Sequence, residues 1–169
     1  MAEKSRFFDS DGTDNDYISA EFSEYFGALV SNGVFYNSPD VLKVIPGSGM
    51  SVVVSSGVAW INGRIYKLTD PKNIPLDPAN TVARIDRIVL RLDLNSNARK
   101  ITSEVIKGTQ ATPPAAPALT RAGNIYELCL ANISVPAGAA SILNTNITDT
   151  RLNQSLCGQV NSLVGAVYE

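Results

Sequence analysis

Apolar residues first recur at three- and four-residue spacing over 18–30, after a polar and acidic start. This spacing places them on one face of an amphipathic helix, which we predict over 19–31. Ser19 is the expected N-cap, Glu21 lies near the positive end of the helix dipole, and Gly33 is an expected left-handed residue after the helix. The stripe consists of Ile18, Phe22, Tyr25, Phe26, Leu29 and Val30.

The aromatic stripe of this helix has two interpretations. It packs on the protein's own sheet, or it docks on a partner subunit, because a helix near a chain terminus is easily presented to a neighbour. The hydroxyl of Tyr25 suits a half-hydrated interface, whereas Phe22 and Phe26 are expected to belong to the core.

From Val34 onward the period changes to two, which indicates strands. Asn62-Gly63 lies between two apolar-rich runs and predicts a tight hairpin, because both central residues of a type I′ turn need positive φ. Asp86 is expected on the same face as Ile88, Leu90, Leu92 and Leu94. The predicted strands cover 41–45, 50–55, 57–61, 64–68, 84–94, 99–106 and 124–135.

The spacing becomes helical again from Asp149, with Asp149 or Thr150 as the cap. The expected apolar face consists of Leu152, Leu156, Val160, Leu163 and Val164. Before it, the proline-rich stretch 108–123 is expected to follow the surface in polyproline II geometry. The predicted fold class is mainly β, an antiparallel β-sandwich or barrel-like core with an N-terminal and a C-terminal helix. The predicted divisions are a polar arm over 1–18, a helix plus β-sandwich domain over 19–148, and a helical segment over 149–169.

Composition excludes several classes of function. A net charge of −2 gives no long-range attraction to nucleic acid or anionic lipid. No apolar run approaches the roughly 20 residues that span a bilayer, and no secretory signal follows Met1, so we expect no membrane insertion and synthesis in a cytoplasm. The only two cysteines, Cys129 and Cys157, are expected to be unpaired.

The chain offers little catalytic chemistry. It has no histidine, which removes the commonest general base and the commonest transition-metal ligand. No phosphate-binding loop or nucleophile elbow is present, so we expect neither enzymatic activity nor a cofactor. Asp86 and Asp93 are predicted to form ion pairs in the sheet with Arg84, Arg87 and Arg91.

An acidic run covers residues 9–16, with aspartates at 9, 11, 14 and 16. An EF-hand loop needs glycine at its sixth and glutamate at its twelfth position. Counted from Asp9, Gly12 is fourth and Ala20 is twelfth, so a turn leading into the helix is favoured, and weak binding of a cation such as calcium stays open.

Several short motifs follow one another along nearly the whole chain. They are Asp11-Gly12-Thr13-Asp14, Tyr25-Phe26, Ser31-Asn32-Gly33-Val34-Phe35, Gly49-Met50-Ser51-Val52, Gly57-Val58-Ala59-Trp60-Ile61-Asn62-Gly63-Arg64-Ile65-Tyr66, Arg84-Ile85-Asp86-Arg87-Ile88-Val89-Leu90-Arg91-Leu92-Asp93, Lys107-Gly108, Leu119-Thr120-Arg121, Tyr126-Glu127-Leu128, Asp149-Thr150-Arg151 and Cys157-Gly158. The ordered set resembles the N-terminal module of tail baseplate proteins, of the upper-baseplate or receptor-binding type, in phages and prophages of Gram-positive bacteria.

The resemblance implies a structural adaptor that links the tail hub to receptor-binding parts, with 149–169 leading to an oligomerisation or receptor-binding part. It implies other tail or baseplate proteins as partners, a homo-oligomer, and a place in the virion tail tip or baseplate after assembly in the host cytoplasm. It carries over no catalytic residue. The candidate interface residues are Phe22, Tyr25, Phe26, Leu152, Leu156 and Val160. The alternative is a β-sandwich that binds host cell-wall saccharide through a stacking platform of Trp60, Tyr66 and Tyr126.

Overall fold

A computed structural model describes Phe7 and residues 17–165 of the chain. One α-helix, α1 (Ser19–Leu29), precedes the strands of the described part. The strands are β1 (Gly33–Val34), β2 (Val44–Pro46), β3 (Ser51–Val54), β4 (Gly57–Ile61), β5 (Arg64–Leu68), β6 (Lys72–Pro75), β7 (Arg84–Asp93), β8 (Lys100–Ile106), β9 (Arg121–Ala122), β10 (Ile125–Val135) and β11 (Ile147–Asp149). The prediction of a mainly β protein with a helix ahead of its strands is confirmed.

The strands form three antiparallel sheets that pack around one hydrophobic core. Their strand orders are β1-β4-β5, β2-β3-β6 and β11-β10-β7-β8, and β9 adds to β10. In the long β7–β10 pair, Leu92 lies opposite Tyr126 and Asp86 opposite Ile133. The register shifts between Cys129 and Ala131, which is a β-bulge that bends β10.

The hairpin of β4 and β5 has the predicted form. Ile61 lies opposite Arg64, so the turn contains Asn62 and Gly63 alone. Their φ values are 47° and 74°, both in the left-handed region that a type I′ turn requires.

Alternate side chains of β7 face the core, as predicted. The carboxylate of Asp86 is buried on that face and accepts hydrogen bonds from Arg84 Nε at 2.8 Å and from the amide of Gly108 at 2.8 Å. The predicted Arg84–Asp86 ion pair is therefore confirmed. Asp93 instead accepts the amide of Asn95 at 2.8 Å, which caps the β7–β8 turn.

The other arginines of β7 differ from the prediction. Arg91 pairs with Glu127 at 3.0 Å and Glu104 at 3.5 Å, both from neighbouring strands, and not with Asp93. Arg87 pairs with no carboxylate among the described residues, and its Nε and one terminal nitrogen are buried without a hydrogen-bond partner there. The ion-pair partners of Arg91 therefore depend on which strands lie beside β7. The order of charges along β7 does not predict those neighbouring strands.

The predicted C-terminal helix is wrong over the described residues 149–165. Asp149 ends β11, and turns and isolated bridges follow. The guanidinium of Arg151 is 2% exposed and donates to the Asp149 carboxylate and to the carbonyls of Val41 and Pro39. Asn153 Oδ1 accepts the amide of Ser155 at 3.0 Å. These bonds hold the backbone in turns, so helical spacing of leucines here did not produce a helix.

Smaller predictions at segment boundaries also need correction. Ile18, not Ser19, is the N-cap of α1, and its amide donates to Glu21 Oε2 at 3.1 Å. Gly33 lies in β1 and is not a helix C-cap. The strand expected over 41–45 begins only at Val44, because Leu42 adopts a positive φ of 51° in a turn. No helix among the described residues is long and apolar enough to cross a bilayer.

Candidate protein–protein interface

Helix α1 lies across the tip of the β4–β5 hairpin. A Cβ added to Gly63 would stand 1.9 Å from the carbonyl oxygen of Ser23, so the turn and the helix backbone are in direct contact. Asn32 also holds the turn: its Oδ1 accepts the amide of Asn62 at 2.6 Å, and its Nδ2 donates to Asn62 Oδ1 at 2.8 Å. Backbone packing of α1 on Gly63 and the Asn32–Asn62 hydrogen bonds therefore contribute to placing the helix on the sheet.

An aromatic cluster, formed by Phe7, Tyr17, Phe22, Tyr25, Phe26, Trp60 and Phe35, runs along α1 and over the outer face of β4. The ring of Phe7 stands 4.9 Å from that of Tyr25 and 5.9 Å from that of Phe22, measured between centroids. Phe26 meets Trp60 edge-on at 6.0 Å, and Phe35 meets Trp60 at 6.4 Å. These separations are those of favourable aromatic pairs.

The cluster is only half covered by the described chain. No residue of α1 is buried, and Phe22, Tyr25 and Phe26 are exposed by 43%, 47% and 42%. The expectation that Phe22 and Phe26 belong to the core is therefore wrong. Periodicity correctly predicted the apolar face of the helix but could not reveal how much of it the sheet would cover.

Trp60, the member of this cluster on β4, has an unsatisfied polar group. Its indole Nε1 is buried and has no hydrogen-bond acceptor among the described residues. A buried donor without an acceptor costs free energy, about 1–3 kcal/mol.

The three rings predicted as a saccharide platform do not come together. Trp60 lies opposite Ile65 and Tyr66 lies opposite Ala59, so Trp60 and Tyr66 are on opposite faces of the β4–β5 hairpin. The hydroxyl of Tyr66 stands 3.4 Å from Ser103 Oγ. Tyr126 belongs to another sheet, where the guanidinium of Arg121 stacks 5.3 Å from its ring centroid.

The predicted C-terminal interface residues are separated as well. Leu152 is 50% exposed in a turn. The carbonyl of Leu156 accepts the amide of Cys129 at 2.9 Å, and the amide of Val160 donates to the carbonyl of Val34 at 3.0 Å. The three do not share a helical face, and Val160 serves instead to pair the C-terminal segment with β1.

Both cysteines are free and buried, as expected. Burial raises the pKa of Cys129, and burial together with the neighbouring Cys129 raises the pKa of Cys157 to about 12. Thiols in this state are neutral at physiological pH and poor nucleophiles.

The acidic run over 9–16 lies outside the described residues. Within the described part, no group of three acidic, cysteine or histidine side chains is placed to hold a metal ion. No protein-family model matches the chain, and no curated protein matches it.

Proposed function

We propose that this protein is a structural adaptor of a phage tail tip or baseplate, linking the tail hub to receptor-binding parts through protein–protein interfaces. The ordered motifs described above suggest the class of assembly. The observation that carries the proposal is the half-exposed aromatic cluster on α1. Its partners would be other tail or baseplate proteins and further copies of the chain.

The cluster has the physical character of an association surface. Aromatic side chains supply large apolar area at a low cost in conformational entropy, and they are enriched at the centres of interfaces. Gly63 packs closely against the Ser23 carbonyl, and this contact would limit the ordering that α1 needs when a partner binds. A helix packed on the sheet with exposed rings is therefore suited to docking.

The test is Phe22→Asp in the full chain. Because Phe22 is 43% exposed, the charge would remain hydrated and the β core should stay folded. We expect a native circular-dichroism spectrum and loss of copurification with a coexpressed tail hub protein. A matched control is Leu143→Asp, since Leu143 is 60% exposed and lies outside the aromatic cluster.

Two outcomes would contradict the proposal. Association of Phe22→Asp with the hub protein at wild-type strength would show that the cluster is not the docking surface. Unfolding of the variant would place Phe22 in the structural core. Tyr25→Ala provides a milder second variant, for which we expect affinity to fall by about tenfold or more.

A further inference from the structure

The outer edge of β5 has unpaired backbone groups. A two-residue turn makes Ile61 and Arg64 a hydrogen-bonded pair, so the N–H and C=O of Ile65 and Lys67 point away from β4. Among the described residues, no strand pairs with this edge. Ile65 is also 62% exposed. Such an edge is a template for another extended chain.

A groove of about 410 Å³ lies beside this edge. Its apolar floor is defined here as the lining residues Leu92, Leu94 and Ile101 from the end of the β7–β8 hairpin. Ser19 at the start of α1 and Ile65 on β5 also line the groove. A strand added to β5 could thus direct alternate side chains toward an apolar surface.

The borders of the groove are basic. Arg64 and Arg99 line it, Lys100 lies at the start of β8, and Lys67 follows Ile65 along the edge. None of these four side chains is within salt-bridge distance of a carboxylate in the described part of the chain. This local excess of positive charge occurs in a chain whose net charge is −2.

The charges indicate which occupant would fit. Pairing of β5 with β5 of a second copy would bring like charges together, and a lysine on an edge strand acts against such pairing. An acidic segment would instead meet complementary charge at Arg64, Arg99 and Lys100, which line the groove. The apolar floor further requires uncharged aliphatic side chains at alternate positions.

We propose that β5 binds an extended segment of a partner protein, with alternating acidic and aliphatic residues, by strand addition in this groove. Main-chain hydrogen bonds to Ile65 and Lys67 would supply affinity, and the floor and the basic border would supply specificity. This site does not use the aromatic cluster, so its failure and the failure of the proposed adaptor interface are distinguishable.

The probe is a fluorescein-labelled, end-blocked hexapeptide of alternating glutamate and leucine, titrated into the full chain. We expect binding that weakens with added salt, and slower hydrogen exchange at the amides of Ile65 and Lys67. Arg99→Glu should weaken binding by about tenfold or more, whereas the matched reversal Lys43→Glu, outside the groove, should change it by less than about twofold.

Two further peptides distinguish strand addition from simple charge attraction. A peptide with lysine in place of glutamate should not bind. A glutamate–leucine peptide N-methylated at every residue keeps its charge but loses its backbone donors, including those that would face β5, and it should bind at least about tenfold more weakly. Equal binding of the methylated peptide, exchange protection at other strands only, or no binding at about 1 mM would overturn the proposal.

Discussion

Gly63 meets two independent requirements at the hairpin tip. Its φ of 74° is in the left-handed region, and its α-carbon lies so close to the Ser23 carbonyl that a side chain would collide with the helix backbone. Gly123 has a similar φ of 60° but nothing within 4 Å of an added Cβ. Substituting each of the two glycines therefore distinguishes the cost of backbone strain, which both share, from the cost of close packing, which only Gly63 has.

We predict that Gly63→Val lowers the free energy of unfolding by about 3 kcal/mol or more, since strain at positive φ adds to overpacking against α1. Gly123→Val should cost only the strain, about 1–2 kcal/mol. Urea denaturation of the two variants gives the comparison. Equal losses would show that the helix does not press on the turn.

The buried ion pair of Arg84 and Asp86 permits a second residue-scale prediction. Removing the carboxylate leaves a guanidinium that is 1% exposed without its charge partner, so Asp86→Ala should destabilise the protein by about 3–5 kcal/mol. Asp93→Ala, on the same strand, removes one exposed hydrogen bond to the Asn95 amide and should cost about 1 kcal/mol. Similar urea midpoints for the two variants would refute the assignment of Arg84 and Asp86 as a buried ion pair that stabilises the fold.

Asp149 links stability to pH. Burial acts to raise its pKa, but the hydrogen bonds and charge of Arg151 outweigh burial and lower the pKa below the ordinary value. A carboxyl with a lowered folded pKa contributes stability above its unfolded pKa of about 3.9, and this contribution is lost as the pH falls through the folded value.

We therefore predict that Asp149→Asn is less stable than the wild type at about pH 7 and that the difference shrinks toward about pH 3. Urea midpoints measured across this range test the sign. Asp70→Asn is the control, because Asp70 is exposed and, among the described residues, its carboxylate accepts a hydrogen bond from the neighbouring Thr69 hydroxyl alone. A difference that grew on acidification would contradict the lowered pKa.

At the scale of elements, the sequence pattern correctly predicted those turns and strands that depend mainly on neighbouring residues. Asn62-Gly63 specified its turn, and period-two alternation predicted β7, β8 and β10 to within a residue or two. The C-terminal helix failed because its competitors are long-range: Arg151 binds the carbonyl of Val41, and Val160 pairs with Val34. The spacing of the leucines between 152 and 163 carries no information about those long-range contacts.

The candidate surfaces were only partly predictable for the same reason. An apolar helix face has the same sequence pattern whether a sheet covers it fully or partly. The exposure of Phe22 and Phe26 could therefore be determined only from the structure. The groove beside β5 joins Arg64 and Ile65 to the end of the β7–β8 hairpin, roughly 30 residues away along the chain. No motif indicates that proximity.

At the scale of the whole molecule, contacts between the two ends of the described chain complete the fold. The amide of Ser31 donates to the carbonyl of Asn161 at 2.8 Å, and that of Val34 donates to the carbonyl of Gly158 at 2.9 Å. A Cβ on Gly33 would stand 2.5 Å from the backbone of Gln159, so only glycine permits this approach. The C-terminal segment thus binds β1 through these bonds and β10 through the bond from the Cys129 amide to the Leu156 carbonyl, and such pairings distant in sequence favour cooperative unfolding.

Val160→Pro tests this dependence directly. Proline removes the amide that donates to the carbonyl of Val34 at 3.0 Å, and leaving a buried acceptor unpaired costs about 1–3 kcal/mol. Val160→Ala removes side-chain contacts but keeps that amide, so it serves as the matched control. We expect the proline variant to be the less stable of the two and to show faster hydrogen exchange at Ser31 and Val34, whose own partners lie on the displaced segment. Unchanged exchange at both amides would mean that the C-terminal segment only covers β1 and does not hold it in place.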